Sequence, residues 1–389
     1  MCESNVITNS TKYSKLLESD FIFLSPYKSL IARGINRIFS QPTDDAHNIN
    51  SIFHKSINKF LSHAKKDGVE NPIIVGAIPF DKNQNCYLYI PENYYWVDRQ
   101  EIKAPSFTAE TLGDYFTNPD HDAFCVMVND ALLTLRKSDL IKVVLSRLLY
   151  IEPKEQLSSL QLWLKLNQQN PTSYNFHVPL ENKTLIGASP ELLLRKKGNI
   201  INTTPLAGSV SRGEDPYTDD CAQKKLLNSS KDINEHNIVI EAIRQCLNER
   251  CKILNIPKSS LYSTPTLWHL ATHINGIIDN PHDNALSLAC LLHPTPALCG
   301  TPSSQAKELI NKLEPFNRGW FGGIVGWCDT EGNGEWVVTI RCGIINPKRI
   351  ELFAGAGIVE NSKPESEWLE TGVKLKTMLH ALGFNKERI

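Results

Sequence analysis

Two stretches of the sequence each place two carboxylates three residues apart in a segment that is predicted to be helical. The first pair is Asp232 and Glu235 in DINEH, and the second is Glu367 and Glu370 in EWLET. A spacing of three brings side chains to one helical face, where like charges repel unless a positive group lies between them. Facing pairs of carboxylates suit Mg²⁺, with two oxygens bound directly and the other pair holding bound waters. The alternative is two ordinary solvated helix faces, because acidic pairs at this spacing are common.

A lysine and a glutamate beside apolar runs are candidates for acid–base chemistry. Lys142 lies inside IKVVLSR, and Glu191 follows Ser-Pro in GASPELLL. Burial would lower the pKa of the lysine toward that of a neutral base and raise the pKa of the carboxyl group toward that of a proton donor. Simpler interpretations stay open, since a strand-edge lysine can reach solvent and the glutamate can be a solvated loop residue.

Four further residues could bind an anion. Arg341 ends the apolar run VVTIRC, where a guanidinium without an anionic partner is costly. Gly208 in PLAGS and Gly355 in FAGAGI would let an anion approach backbone N–H groups closely. His269 in WHLATH is a candidate for the same polar lining. Taken singly, each can also be a strand-edge, turn or structural residue.

Regular elements are predicted around these residues. Strands are expected over residues 141–151, 173–178 and 184–194, the last with a bend at 187–190. Helices are expected as a pair over 219–255 broken at 228–230, as one that Thr301 caps and Pro302 begins, and as a closing helix over 365–382.

The arrangement of strands predicts the fold class. Runs at 321–328 and 335–345 flank the turn sequence DTEGNG, and another strand follows at 349–355. Antiparallel hairpins with helices grouped beside them indicate an α+β protein rather than a doubly wound parallel sheet. We expect residues 1–120 to complete the sheets and residues 121–389 to form the catalytic core of one structural domain. The glycine-rich nucleotide-binding fingerprints are absent.

Composition excludes several classes of protein. The chain has 389 residues, 41% of them hydrophobic, and a net charge of −1, so no overall field attracts nucleic acid or an anionic membrane. No apolar run approaches the ~20 residues that span a bilayer, and the N-terminus lacks the pattern of a secretion signal. Its ten cysteines include no CxxC pair and no Cys/His cluster with zinc spacing. We therefore expect a cytoplasmic protein with reduced thiols.

From residue 140 to the C-terminus the sequence resembles the chorismate-utilising enzymes, which include the anthranilate, aminodeoxychorismate, salicylate and isochorismate synthases. The resemblance rests on ten segments in order: KVVLSR, IGASPELLL, TTPLAGSV, DINEHNIVI, WHLATHINGII, HPTPALCGTP, GWFGGIVGWCD, EWVVTIRC, FAGAGIV and EWLETGVKLKTM. The earlier FLSPYKS is similar to isochorismate synthases of siderophore pathways. The resemblance implies a single domain of two layered antiparallel sheets with outer helices.

The resemblance also implies a reaction and roles for the residues. In it, Lys142 is the base that activates water, Glu191 is the acid that protonates the departing hydroxyl group, and the cofactor is Mg²⁺. Glu235 and Glu370 would ligate the metal, while Asp232 and Glu367 would position its waters. The expected substrate-binding residues are Gly208, His269, Leu298, Arg341, Gly355 and Lys374.

Two positions separate the branches of the family. A lysine at 142 is similar to the members that use water rather than ammonia, so no glutaminase subunit is expected. Ala207 replaces the nucleophilic lysine of common aminodeoxychorismate synthases. The resemblance thus implies Mg²⁺-dependent conversion of chorismate to isochorismate, for 2,3-dihydroxybenzoate siderophores, by a monomer. Salicylate formation with loss of pyruvate, the menaquinone pathway and a catalytically silent relative stay as alternatives.

Overall fold

The computed structural model describes residues 16–99, 102, 113–155 and 157–384. The helices are α1 (Ile52–Lys66), α2 (His121–Leu135), α3 (Ser159–Gln169), α4 (Pro216–Leu227), α5 (Ser230–Asn248), α6 (Ala285–Leu292), α7 (Ser303–Leu313) and α8 (Pro364–Ala381). The strands are β1 (Phe21–Leu24), β2 (Ser29–Arg33), β3 (Arg37–Phe39), β4 (Ile73–Ile78), β5 (Tyr87–Ile90), β6 (Asn93–Val97), β7 (Tyr115–Asn118), β8 (Lys142–Ile151), β9 (Tyr174–Pro179), β10 (Thr184–Ser189), β11 (Leu192–Lys197), β12 (Ile200–Thr204), β13 (Leu206–Ser211), β14 (Cys251–Asn255), β15 (Ser260–Ser263), β16 (Leu267–Ala271), β17 (Ile274–Ile278), β18 (Gly300–Thr301), β19 (Ile324–Asp329), β20 (Gly334–Val338), β21 (Cys342–Asn346) and β22 (Arg349–Ile358).

Two large antiparallel sheets and one small sheet organise these strands. The first has the order β18-β8-β22-β21-β10-β9-β1-β2-β6, with β7 also paired to β8. The second has the order β14-β17-β12-β11-β20-β19-β4-β5-β3, and the third is β13-β16-β15. The α+β class and the two antiparallel sheets are confirmed; the third sheet was not predicted.

The strands before residue 120 belong to both large sheets. β1 pairs with β9 of the first sheet, and β4 pairs with β19 of the second. A segment that completes the sheets has to pair with strands of both sheets, as these strands do. The functional division of the chain near residue 120 stays a prediction.

The main core lies between the two large sheets. It contains residues of the first sheet, such as Phe23 and Phe176, together with residues of the second, such as Ile74 and Trp336. A second core packs α3 and α8 against the outer face of the first sheet, and a third packs α2 and α7 against β8 and β22. The helices on this side therefore cover the strand pair that carries Lys142.

Most predicted elements are found, with three corrections. The run over 335–345 is two strands rather than one, because the chain leaves β20 of the second sheet after Val338 and enters β21 of the first sheet at Cys342. The helical signal over 219–255 ends at Asn248, because residues 251–255 form β14 and pair with β17. Thr301 does not cap α7; it is a strand residue whose partner is Lys142, and Pro302 precedes the helix without a side-chain cap. In the described part of the chain, no helix combines the length and apolar character needed to cross a bilayer.

Candidate active site

One pocket collects most of the residues that the sequence singled out. Its lining includes nine of them: Glu191, Gly208, Glu235, His269, Leu298, Arg341, Gly355, Glu370 and Lys374. The other three lie outside the lining. Lys142 contacts Glu235, Asp232 lies behind Gly208, and Glu367 is paired with Lys231. The structure thus joins segments that are far apart in the sequence.

Glu191 lies at the bend where the chain passes from β10 of the first sheet to β11 of the second. Its backbone is fixed on both sides, since its N–H donates to Ser189 Oγ at 3.2 Å and its carbonyl accepts from the N–H of Val338 at 3.2 Å. The residue is only 2% exposed. Desolvation by burial raises the pKa of its carboxyl group to about 7, although Lys142 and Arg341 act in the opposite direction. The group can therefore hold a proton near neutral pH, and the solvated-loop interpretation is wrong.

Lys142 begins β8 and its side chain is fully buried. Its Nζ donates a hydrogen bond to Glu235 Oε1 at 2.8 Å. Gly357, on the neighbouring strand β22, leaves room for this pair, because a Cβ at position 357 would lie 2.3 Å from Glu235 Oε1 and 2.9 Å from Lys142 Cε. The lysine is therefore not a strand-edge residue that reaches solvent.

The two acidic pairs lie on α5 and α8, as predicted. Ser229 caps α5 by accepting the N–H of Asp232 at 3.2 Å, which explains the break between α4 and α5. Each of the three glutamates forms an ion pair with a lysine. Lys142 pairs with Glu235, Lys231 with Glu367 at 2.6 Å, and Lys374 with Glu370 at 2.6 Å.

Burial is the main cause that raises the pKa of Asp232 and of Glu367. Neighbouring carboxylates raise both values further, with Glu235 and Glu370 acting on Asp232 and Glu370 acting on Glu367. Four acidic groups with three lysines leave this region short of positive charge. The interpretation as solvated helix faces is wrong for Glu235 and Glu367, which are buried.

The donor set fits a hard divalent cation. All four side chains offer carboxylate oxygens, and Glu367 Oε2 is buried without a hydrogen-bond partner among the described residues. No three of these four carboxylates bring ligand atoms within 4.8 Å of one another in the described structure. The arrangement is therefore suited to an ion with few protein ligands that keeps several waters, which is the habit of Mg²⁺.

Arg341 and His269 supply unpaired polar groups to the same pocket. Arg341 has a left-handed backbone (φ 49°), its carbonyl accepts the N–H of Ala188, and no described carboxylate lies within ion-pair distance of its guanidinium. Nε2 of His269 is buried without a partner in the described structure, and burial holds the pKa of this imidazole well below its usual value. A charged guanidinium beside a neutral imidazole can bind a carboxylate of a ligand.

The glycines and Lys374 shape the floor of the pocket. Gly208 lies at an irregularity in the β13–β16 ladder and has a positive φ of 76°. A Cβ there would lie 2.9 Å from Asp232 Cβ, and one at Gly355 would lie 2.8 Å from Ser146 Oγ. Lys374 Nζ donates to the Gly355 carbonyl at 2.8 Å, which ties α8 to β22 beside the pocket.

Comparison with known proteins identifies the family. The model of the chorismate-binding enzymes matches residues 81–383. The chain belongs to the chorismate-binding enzyme family.

Several members of the family are similar over nearly the whole chain. The isochorismate synthase EntC of Escherichia coli strain K12 is 47% identical over 377 residues, covering 95% of this chain and 96% of the relative. The isochorismate synthase DhbC of Bacillus subtilis strain 168 is 39% identical over 397 residues, covering 98% and 99%.

Solved structures give the same answer for the fold. The crystal structure described as a putative 2,3-dihydroxybenzoate-specific isochorismate synthase, DhbC, from Bacillus anthracis has a TM-score of 0.88 at 39% identity and covers 95% of this chain and 98% of its own. Component I of anthranilate synthase from Streptococcus pneumoniae TIGR4 has a TM-score of 0.70 at 21% identity, covers 94% of each chain and shows a shared fold.

Sequence reasoning missed part of the site of this chorismate-binding enzyme. Lys231 lies four residues before Glu235, a spacing that puts both on one face of α5, but helical spacing does not predict its ion pair with Glu367 on α8. The apolar wall of the pocket, which includes Val144, Phe321 and Ile340, was also missed. These residues carry no chemical signal of their own, and only the packing of the strands shows that they face the pocket.

Proposed function

We propose that this chain is an isochorismate synthase, which converts chorismate to isochorismate by adding water at ring C2 and expelling the C4 hydroxyl group with Mg²⁺. One observation carries the proposal. Glu191, a buried carboxyl group whose pKa of about 7 lets it hold a proton near neutral pH, lines the same pocket as Arg341 and as Glu235, which binds the buried Lys142. The high identity to curated isochorismate synthases supports the same conclusion.

The reaction requires opposed acid and base groups. Hydroxide is a poor leaving group, so the departing oxygen needs a proton, while the attacking water must lose one. Lys142 takes a proton from water as its oxygen bonds to C2, the ring double bonds shift, and the C4–O bond breaks. Glu191 gives its proton to the leaving oxygen, which departs as water. The protons balance over the cycle, and substrate and product are isomers.

Lys142 has to lose one proton to solvent before it can act as a base. An ammonium has no free electron pair, and in this structure Nζ of Lys142 donates to Glu235. The bond to Glu235 therefore represents a resting arrangement. Glu191 is already prepared for its role, because burial favours its protonated form.

The substrate is a dianion, and the pocket offers separate places for its two carboxylates. We assign the enolpyruvyl carboxylate to Arg341, together with backbone N–H groups near Gly208 and Gly355. His269 and Lys374 complete the polar lining, and Leu298 contributes apolar contact. Nε2 of His269, which is buried without a partner in the described structure, supports this assignment. The guanidinium of Arg341, which has no ion pair with a described carboxylate, supports it as well.

We assign the metal to Glu235 and Glu370, with Asp232 and Glu367 orienting its bound waters. When bound, Mg²⁺ neutralises the ring carboxylate and fixes its position. Glu235 and Glu370 both line the pocket, whereas the other two carboxylates lie behind it. This difference in position supports the division into direct and indirect roles.

The pathway, the oligomeric state and the partners are further parts of this proposal. We propose the 2,3-dihydroxybenzoate route, because the Bacillus anthracis structure described as 2,3-dihydroxybenzoate-specific matches nearly the whole chain at 39% identity. We further propose a cytoplasmic monomer that acts on a small molecule, without nucleic acid, membrane or glutaminase partner. Water-using chemistry through Lys142 is the reason for excluding a glutaminase.

The test is to incubate the purified protein with chorismate and Mg²⁺, with and without EDTA, and to separate the products by chromatography. We expect an equilibrium mixture of chorismate and isochorismate that forms only without EDTA and contains no pyruvate. Salicylate with one equivalent of pyruvate would show the alternative product from the same site. Unchanged chorismate would exclude the proposed activity.

A further inference from the structure

A second cluster of ligand-type side chains lies on the surface, away from the pocket. His121 and Cys125 are on α2, and Glu365 is in the first turn of α8. One potential ligand atom from each residue lies within 4.8 Å of those of the other two, and these are the only three such residues in the described part of the chain. His121 is partly exposed and Glu365 is exposed, so an ion can enter directly from solvent.

Helix geometry places the three groups together. His121 and Cys125 are four residues apart and therefore lie on one face of α2. Trp368 on α8 packs edge-on against His121 at 5.2 Å and against Phe124 at 5.6 Å between ring centroids. This aromatic contact holds the two helices together, and Glu365 lies one turn before Trp368. The cluster is thus built on two packed helices rather than on loops.

The distances match those of a tetrahedral site for a zinc-like ion. With ligand distances of about 2.3 Å to sulfur and 2.0–2.1 Å to nitrogen, tetrahedral angles separate sulfur and nitrogen by about 3.6 Å. The observed separation of Cys125 Sγ and His121 Nε2 is 3.8 Å, and that of Cys125 Sγ and Glu365 Oε1 is 3.9 Å. His121 Nε2 and Glu365 Oε1 are 2.9 Å apart, compared with about 3.4 Å in such a site. Shifts of a few tenths of an ångström therefore suffice.

Asp122 gives the histidine the orientation that metal binding requires. Its Oδ1 lies 2.9 Å from His121 Nδ1, so Nε2 is the ring nitrogen that faces Cys125 and Glu365. A carboxylate behind the non-ligating nitrogen is the usual support of a metal-bound histidine. This contact is independent of the three ligands.

Two charge effects oppose each other here. The N-terminal ends of α2 and α8 carry partial positive charge, which disfavours a cation. The Cys125 thiolate and the carboxylates of Glu365 and Asp122 offset it with three negative charges. A thiolate and an imidazole together select a borderline ion such as Zn²⁺ over the hard Mg²⁺.

We propose that His121 Nε2, Cys125 Sγ and Glu365 form a site for one zinc-class divalent ion, with water at the fourth position. Binding releases the thiol proton of Cys125 and the Nε2 proton that His121 shares with Glu365 to solvent, and forms the metal–sulfur and metal–nitrogen bonds. The site is separate from the proposed Mg²⁺ site, although both use α8. The sequence did not show it, because the third ligand is 240 residues from Cys125.

The probe is Co²⁺, whose spectrum reports thiolate coordination and tetrahedral geometry. Untagged full-length protein is stripped with EDTA, returned to excess Mg²⁺ and titrated with Co²⁺. We expect a sulfur-to-cobalt charge-transfer band that saturates at one equivalent, and one equivalent of Zn²⁺ should remove it. Absence of the band in the wild type would overturn the proposal.

Variants distinguish this site from other thiols. Cys125→Ser and His121→Gln should abolish the band, and Glu365→Gln should weaken Co²⁺ binding at least tenfold. Cys221→Ser, at an exposed cysteine of α4, is the matched control and should leave the titration unchanged. A band that survives in Cys125→Ser, or is lost in Cys221→Ser, would place the ion elsewhere. Near-ultraviolet circular dichroism confirms that each variant is folded.

Discussion

Nζ of Lys142 and Oε1 of Glu235 form a buried hydrogen-bonded ion pair at 2.8 Å, although 93 residues separate them in the sequence. The same carboxylate is our proposed metal ligand, and the same amine is our proposed base. A cation bound to Glu235 would compete with Lys142 for the negative charge of this carboxylate, so occupation of the metal site and release of the base are connected through one side chain. Burial alone would raise the pKa of the Glu235 carboxyl group, but Lys142, with Lys374 and Lys231, outweighs desolvation and holds this pKa below its usual value, so the ionised form is favoured.

We predict that Lys142→Met loses hydration activity while it retains Mg²⁺-dependent chorismate binding. The methionine keeps most of the buried volume but has no group that accepts a proton, so we expect turnover to fall by about 10²–10⁴-fold. Isochorismate formation measures turnover, and calorimetric titration with chorismate measures binding. Lys307→Met is the matched control, because it also removes a lysine from an ion pair, with Asp81, outside the pocket. Unchanged turnover in Lys142→Met would exclude the base.

Replacing Glu235 with Gln should weaken the binding of Mg²⁺. The amide keeps the shape of the side chain but removes the charge that a hard cation requires, and we expect the Mg²⁺ concentration for half-maximal activity to rise at least tenfold. Glu241→Gln, on the exposed side of the same helix, serves as the control. If both variants gave the Mg²⁺ titration of the wild type, the metal would have to bind elsewhere.

The pH dependence of catalysis should report Glu191. Burial raises the pKa of this carboxyl group to about 7, and the proposed mechanism needs its protonated form. As pH rises through about 7 the proton is lost, so kcat/KM should fall along a limb with an apparent pKa near 7. Glu191→Gln should lose activity by about 10²–10⁴-fold and should not show that limb in its residual rate. A wild-type profile that stays flat between pH 6 and 9 would contradict the assignment.

Much of this site could be predicted from local sequence. Lys142 and Glu191 could be identified because a charged residue beside an apolar run costs free energy unless it is paired or takes part in the chemistry. The acidic pairs stood out because i,i+3 spacing places them on one helical face. The hairpin formed by β19 and β20 was predicted from turn chemistry, and β8 from a continuous β-rich run.

Long-range relationships could not be predicted in this way. The pairing of Lys142 with Glu235, and of Lys231 with Glu367, depends on how α5 and α8 pack against β8 and β22. The prediction of a helix over 251–255 was wrong, because pairing with β17 overrides the local preference of these residues. Thr301 had the composition of a helix cap, but its backbone is used in the ladder with β8.

Glu335 should make stability fall as pH rises from about 4.5 to about 7. Desolvation raises the pKa of this fully buried carboxyl group from 4.5 to about 7, and the guanidinium of Arg195, its ion-pair partner, is 3.6 Å away. Between these values the folded state binds the proton and the unfolded state does not, so unfolding becomes easier as pH increases. The effect is on the order of 3 kcal/mol.

The measurement is the free energy of unfolding in urea at a series of pH values. Glu335→Gln should remove this component of the slope, because the amide does not titrate. Glu70→Gln, at an exposed position, is the control and should keep the slope of the wild type. Equal slopes for Glu335→Gln and the wild type would show that Glu335 is ionised in the folded protein across this range.

Gly357→Ala should damage catalysis more than folding. The new Cβ would lie 2.3 Å from Glu235 Oε1 and 2.9 Å from Lys142 Cε, so the ends of both side chains have to move. We expect a loss of about 1–3 kcal/mol in stability and about 10²-fold in turnover, since misplacement by about 1 Å has effects of this size. Gly372→Ala on α8 is the control, because its nearest neighbour is the flexible end of Arg147 at 3.3 Å. Turnover assays and urea unfolding of both variants separate the effect on catalysis from the effect on stability. Full activity in Gly357→Ala would mean that the position of the Lys142–Glu235 pair does not limit the reaction.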